Sequence, residues 1–271
     1  MVTGSATLEA SAGGRGPKPM TRRSALARNG FFSRSLPLGA LAFVAREVTA
    51  TARVALAAGR GWRGRAHVGA HSREDAIVLV HGLMATAAAF SPMVAKLHGE
   101  LGVDVHTFTF LPGASLDAIA RRIHAAIDSL EDARRIHLVG HSLGGLAVRW
   151  YVQEHAHDPR VKQTISIASP FLGLDLADAF PDVLRGVLMP LRSQLAQLVA
   201  GAPRHLRRVP HLSVLADRDQ LIRPVTNAIL PGAPSYLLHD TGHNGSLFHT
   251  RLHDLILREV ARHIPAEELG G

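Results

Sequence analysis

The chain has 271 residues, 46% of them hydrophobic, enough for one sizeable domain with a buried core and too many for wholesale disorder. Its 30 Lys and Arg against 22 Asp and Glu give a net charge of +8. Residues 1–65 alone carry +9, with eleven basic residues against Glu9 and Glu47, so residues 66–271 sit at −1 and make no electrostatic case for nucleic acid. The absence of cysteine excludes disulfides, thiolate catalysis and cysteine-based zinc sites.

Residues 1–35 are rich in Gly, Ser, Ala and Arg without sustained apolar periodicity and read as a disordered or targeting segment. Over residues 36–58, Leu41, Val44, Val48 and Ala55 recur at helical spacing beside a stripe of Arg46, Thr49 and Arg53, which predicts an amphipathic helix. Arg46, Glu47 and Arg53 interrupt the run, so it is a poor bilayer span, which needs roughly 20 predominantly apolar residues. Packing on the domain is the first reading. The second is peripheral contact with a membrane, the arginines near lipid phosphates. The third is an export signal, with Thr21-Arg22-Arg23 as a twin-arginine start and Ala50-Thr51-Ala52 as a cleavage site. Against export, Leu36–Ala45 is short and far from the arginine pair. A cytoplasmic or membrane-associated location is therefore favoured.

A Gly/Arg-rich linker over 59–75 leads into an alternating domain at 76–264. Strands are expected at Ala76–Val80, Val103–Phe110, Arg135–Val139, Val161–Ala168, His211–Ala216 and Ser235–His239. Helices are expected at Thr86–Glu100, Ser115–Leu130, Leu143–His155, Pro181–Ala200 and Ser246–His263, the second capped by Ser115. This alternation predicts an α/β fold whose mostly parallel sheet is covered on both faces. Residues 171–206 fall between two strands and carry Leu184, Leu188, Leu191, Leu195 and Leu198 along one side. The stripe fits core packing, and it fits a cap that offers an apolar surface to an acyl chain.

Gly140-His141-Ser142-Leu143-Gly144 matches G-x-S-x-G with a strand before it and a helix after. The serine would stand on a strained turn, with small neighbours because other backbone passes close by. The helix it opens would face a developing oxyanion with its first N–H groups. A Walker loop would need Lys then Ser or Thr, and a dinucleotide fingerprint would need G-x-G-x-x-G; neither stands here.

Serine is a poor nucleophile near neutral pH without a base held in place by an acid. On such a fold the acid and then the base follow the serine, each after a later strand. After His211–Ala216 stand Asp217 and Asp219; Asp219, deeper in the loop, is favoured, Asp217 could simply cap the turn, and Asp175 is a weaker alternative. After Ser235–His239 comes Thr241-Gly242-His243-Asn244-Gly245, where His243 is the candidate base, with His239 and His249 as fallbacks among 17 histidines. His81-Gly82-Leu83 ends the first strand; the N–H groups of Leu83 and Leu143 are the candidate oxyanion donors, and His81 reads as ordering its loop rather than binding metal.

H-G-L, G-H-S-L-G-G, D-x-x-I and G-H-N-G-S-L together resemble the α/β-hydrolase superfamily, in particular bacterial lipases and esterases of the triacylglycerol-lipase type, over about residues 75–264. The resemblance implies the α/β-hydrolase fold with a small helical cap. It implies a Ser142–Asp219–His243 triad, Leu83 and Leu143 as oxyanion donors, and hydrolysis of carboxylic esters, lipase-like on lipid or long-chain acyl esters, through an acyl-enzyme. It calls for no cofactor; some lipases of this kind carry a structural calcium site, but no acidic cluster in this sequence is assigned as one, and no metal is expected. The stretch Ala168-Ser169-Pro170-Phe171-Leu172-Gly173 is also similar, except that Phe171-Leu172 stands where the family often has a basic or polar residue. Thioesterases and acyltransferases would use the same residues, and a non-catalytic binding protein on this fold is the reading of a different class.

Overall fold

A computed structural model describes residues 38–61, 66–68, 74–155, 157–174 and 191–265. In chain order the regular elements are α1 (Leu38–Gly61), β1 (Ala66–Val68), β2 (Asp75–Val80), α2 (Ser91–Leu101), β3 (Asp104–Phe108), α3 (Leu116–Asp128), β4 (Arg135–His141) and α4 (Leu143–Glu154). There follow β5 (Val161–Ile167), α5 (Leu191–Leu206), β6 (His211–Ala216), β7 (Ser235–Leu238) and α6 (Thr250–Ala261). The described strands form one sheet in the order β1-β3-β2-β4-β5-β6-β7. All pairings are parallel except that of β1, which runs antiparallel along β3 at the edge.

The apolar runs follow from two covered faces. Ala76, Val78 and Val80 of β2 point into one core with residues of α3, α4 and α5, while Ile77 and Leu79 point into the other with residues of α1, α2 and α6. A strand buried on both faces has no polar side to alternate with, so AIVLV, after the Asp75 that opens the strand, reads as a continuous apolar segment. Because the inner strands run the same way, the loops after β2, β4, β6 and β7 emerge at one edge of the sheet, which is where ligands bind in open parallel sheets.

Several boundaries differ from the sequence reading for local reasons. The helix expected from Thr86 is a 3₁₀ turn, Ala87–Phe90, followed by α2, whose second residue is Pro92. Proline cannot donate inside a helix and suits its first turn, so the α-helix starts there. The closing helix is likewise divided: Gly245–Phe248 is a 3₁₀ turn and α6 begins after His249, whose Nδ1 accepts from Arg251 N–H at 3.2 Å. β1 lies inside the stretch read as linker; three residues are too few to show a period. Ser115 does cap α3, its Oγ accepting from Ala118 N–H at 3.2 Å. Asp175 and the first part of the leucine stripe lie outside the described residues. In α5, Leu191 and Leu198 are buried, and Leu195 is partly buried against the same core. Along α1, Ala50 and Val54 are buried while Val44, Val48 and Leu56 are exposed. Among the described residues no helix is long and apolar enough to cross a membrane.

A buried ion pair ties β2 to β4 at the end of the sheet remote from those loops. The fully buried Asp75 carboxylate receives Arg135 in a two-pronged contact at 2.9 and 2.7 Å, and His137 Nε2 lies 3.4 Å away. Burial alone would raise the Asp75 pKa, but the hydrogen bonds from His137 and Arg135 outweigh it and hold the carboxyl below its usual value. A depressed carboxyl pKa adds stability above the unfolded value, near 4, and loses it as pH falls through the folded value. Asp75→Ala takes away the two-pronged acceptor of Arg135 and the neighbour of His137, leaving Arg135 the more exposed Glu74, and is expected to cost about 3 kcal/mol at pH 7. Denaturant midpoints measured from pH 7 downward should show the gap to wild type closing in acid.

Candidate active site

β4 delivers Gly140 and His141 to Ser142, where the backbone turns into α4 with φ 54° and ψ −119° at the serine. A non-glycine residue in this region is strained and persists only when its surroundings hold it. Ser142 N–H donates to Ile167 O at 2.8 Å and Ser142 O accepts from Gly145 N–H at 3.0 Å. The glycines are needed for space. A Cβ on Gly140 would overlap the Gly144 carbonyl, one on Gly144 would lie 2.6 Å from His81 O, and one on Gly145 would lie 2.8 Å from the Ser166 Cβ. Leu143 is the first residue of α4, so its N–H has no partner within the helix.

The loop after β2 is organised by His81. Its Nε2 accepts from Phe110 N–H at 3.1 Å, so Nδ1 carries the proton and donates to Gly82 O at 2.7 Å. The ring stacks on Phe110 with centroids 4.0 Å apart, and burial pushes its pKa down to about 4. Gly82 passes so near the elbow that a Cβ there would sit 3.0 Å from the Ser142 Cβ.

After β6 the two aspartates part company. Asp219 is buried; its Oδ1 accepts from Leu221 N–H at 2.8 Å and Ile222 N–H at 2.9 Å, and its Oδ2 accepts from His243 Nδ1–H at 2.9 Å. Burial opposes ionisation, but the His243 hydrogen bond with the two backbone donors prevails and keeps the carboxyl below its usual pKa. Asp217 instead pins the loop after β7, accepting from Asp240 N–H at 3.0 Å and Thr241 N–H at 3.2 Å. His239 is exposed beside Asp217, 3.5 Å away, and His249 stands at the start of α6.

Ser142, His243, Leu83 and Leu143 line one cavity of about 280 Å³. Its wall is mainly apolar, with Met84, Leu146, Leu174, Leu191, Leu195 and Leu221, and Arg192 and Asn244 add polar groups. Asp219 stands behind His243, out of the lining. The sequence-expected serine, base and donor residues thus meet at one place, and of the competing acids the one in contact with the imidazole is Asp219.

A family model described as palmitoyl protein thioesterase matches residues 76–202. A search of curated proteins finds no match. Among solved structures, the chain is similar to a monoacylglycerol lipase of Paleococcus ferrophilus at 16% identity and a TM-score of 0.54, over 74% of this chain and 99% of that one. It is similar to a Bacillus licheniformis lipase in mature form at 16% identity and a TM-score of 0.58, over 73% and 98%. A thioesterase domain from the curacin biosynthetic pathway matches at 15% identity and a TM-score of 0.52, over 73% and 94%. These likenesses show the α/β-hydrolase fold.

The site also holds four side chains to which the sequence motifs give no role. His141, the variable residue of G-x-S-x-G, is buried under the His243 ring with centroids 4.8 Å apart. Its Nε2–H donates to the His243 carbonyl at 3.1 Å. Burial, with the neighbouring His243, pushes its pKa to about 3, so it stays neutral. Gln220 accepts from His243 N–H at 3.2 Å, and Ser246 Oγ donates to the His243 carbonyl at 2.7 Å. Glu47, on α1, reaches the same loop from nearly 200 residues away in sequence. Spacing within one segment could not have found it.

Proposed function

We propose that the protein is a serine hydrolase that cleaves carboxylic esters of long acyl chains. The observation that carries this reading is that Ser142 and His243 line one apolar cavity while Asp219 accepts the His243 Nδ1 proton. With Nδ1 so engaged, the Nε2 lone pair serves as the base. Ser142 Oγ attacks the ester carbonyl and His243 Nε2 takes its proton. The oxyanion that forms is stabilised by the N–H groups of Leu83 and Leu143 and by the N-terminus of α4. When the tetrahedral species collapses, the carbon–oxygen bond to the alcohol breaks and His243 returns the proton to the leaving oxygen. Water repeats the sequence on the acyl-enzyme, releasing the carboxylic acid and restoring Ser142.

The leucines around the cavity favour an acyl chain over a polar acid. Each methylene buried contributes up to about 0.8 kcal/mol, or roughly fourfold in kcat/KM. Across p-nitrophenyl esters from acetate to palmitate, kcat/KM is expected to climb with chain length before levelling, and Leu195→Trp should move the optimum to shorter chains. Acetate as the best substrate would overturn the acyl-chain reading and leave the serine chemistry standing. A thioester substrate is the second reading, favoured by the match of residues 76–202 to the palmitoyl protein thioesterase model. Acyl-CoA esters of the same lengths, run beside the oxygen esters, separate the two by their relative kcat/KM.

A further inference from the structure

The loop that carries His243 is held from outside the α/β core by the N-terminal helix. Glu47 of α1 accepts from Gly242 N–H through Oε1 at 2.9 Å and from Gly245 N–H through Oε2 at 3.3 Å, so one carboxylate bridges the two glycines that bracket His243-Asn244. Both glycines are shaped to this contact. A Cβ on Gly242 would lie 2.5 Å from the Glu47 carboxyl carbon, and one on Gly245 would lie 2.9 Å from it. The next turn of α1 continues the seam, where Asn244 Nδ2–H donates to Thr51 Oγ1 at 3.2 Å. Arg218 lies over the Phe43 ring at 5.0 Å, and Arg53 over the Phe248 ring at 5.6 Å. α1 also touches the loop on the other side of the site, accepting from Thr86 Oγ1–H through Ala57 O at 3.2 Å.

From this geometry we propose that Glu47 is a positioning residue for the His243 imidazole, and that α1 is a working part of the active site. The inference rests on the serine-hydrolase reading above. The imidazole needs support from several sides. Asp219 fixes its Nδ1, and Gln220, Ser246 and His141 hold the backbone of His243 itself. The N–H groups at Gly242 and Gly245 turn towards α1, and the Glu47 carboxylate takes one on each oxygen. Glutamine offers one acceptor and an NH₂ that would face the second N–H. The segment Ala50-Thr51-Ala52 lies within the continuous α1, and a cut there would detach Glu47 from the seam that Thr51 and Arg53 complete. Residues 38–61 are thus expected to be needed for turnover, and not only for location.

The test uses the full chain and two variants, Glu47→Ala and Glu47→Gln, with two readouts. The first is the low-field proton signal of His243 Nδ1–H bonded to Asp219, which reports imidazole placement whether or not a substrate is known. The second is kcat and KM on p-nitrophenyl esters, beside the thermal midpoint. Misplacing a catalytic group by about 1 Å costs on the order of 10²-fold. Glu47→Ala should therefore broaden or lose the proton signal and lower kcat ten- to a hundredfold with KM within about twofold, and Glu47→Gln should fall between. Val48→Ala, on the exposed side of α1 and away from the Gly242 and Gly245 N–H groups, should leave kcat near wild type. If Glu47→Ala fails to fold, Glu47→Gln decides by the same signal. An unchanged proton signal with unchanged kcat in a folded Glu47 variant overturns the proposal, as does a change confined to KM. A wild type that shows the proton signal but hydrolyses no ester counts against the hydrolase reading instead, and the signal in the variants still judges Glu47.

Discussion

Ser142→Ala is expected to lower kcat by on the order of 10⁴- to 10⁶-fold while KM and the thermal midpoint stay close to wild type. The fold should be indifferent because alanine shares the strain at φ 54° and the Oγ takes no part in the contacts that hold the elbow, which run through Ser142 N–H and Ser142 O. What is lost is the covalent route. The cavity, the α4 N-terminus and the imidazole remain, so a weak residual rate from water attacking a bound ester is expected. Saturation kinetics on the best ester of the chain-length series, beside a melting curve, measure both parts. A variant that keeps a tenth or more of the wild-type rate would remove Ser142 from the chemistry.

Asp219→Asn and Asp217→Asn, made in parallel, should separate the two acidic residues by several powers of ten. Asp219 accepts the Nδ1 proton of His243 at 2.9 Å and is itself fixed by the Leu221 and Ile222 N–H groups. An asparagine there can present its NH₂ to Nδ1, which favours the wrong tautomer and puts the proton on Nε2, where the base must be free. A loss of about 10⁴-fold in kcat is expected for that change. Asp217 holds the loop after β7, through Asp240 N–H, Thr241 N–H and His239, and asparagine keeps one of its acceptors. Its replacement should cost about 1 kcal/mol of stability and a few-fold in kcat. Equal losses in the two variants would contradict the separate roles assigned to them.

The parts of the site that were legible in the sequence share a property: each is a short segment at the end of an apolar strand. β4 ends in Gly140-His141-Ser142, β2 in His81-Gly82-Leu83, and the loops after β6 and β7 hold Asp219 and His243. The runs of β2, β4 and β6 are readable because both their faces are buried, while β7 is a partly exposed edge strand; the parallel arrangement gathers all four ends at one edge. The choice between Asp217 and Asp219 was weaker, since both follow β6 and only three-dimensional contact tells which carboxylate faces His243. His141 stood in a position the motif leaves free, so nothing local marked it as the buried neighbour of His243. Glu47 was visible only as a charge interrupting an apolar helix. Its two acceptors matter because of glycines at 242 and 245, and no pattern within residues 36–58 could pair them. The 3₁₀ turns before α2 and α6 were absorbed into longer helices, since a one-turn change of pitch hardly alters apolar spacing; Pro92 was the readable sign of the first.

The central claim is that His243 and Asp219 activate Ser142 as a nucleophile. The most direct measurement is labelling of the intact protein with a fluorophosphonate probe, followed by mass-spectrometric mapping of the modified peptide. The expected result is one adduct per chain, on the Ser142 hydroxyl, absent in Ser142→Ala and slowed by orders of magnitude in Asp219→Asn. No labelling of the folded wild type, or equal labelling of Ser142→Ala, would contradict it.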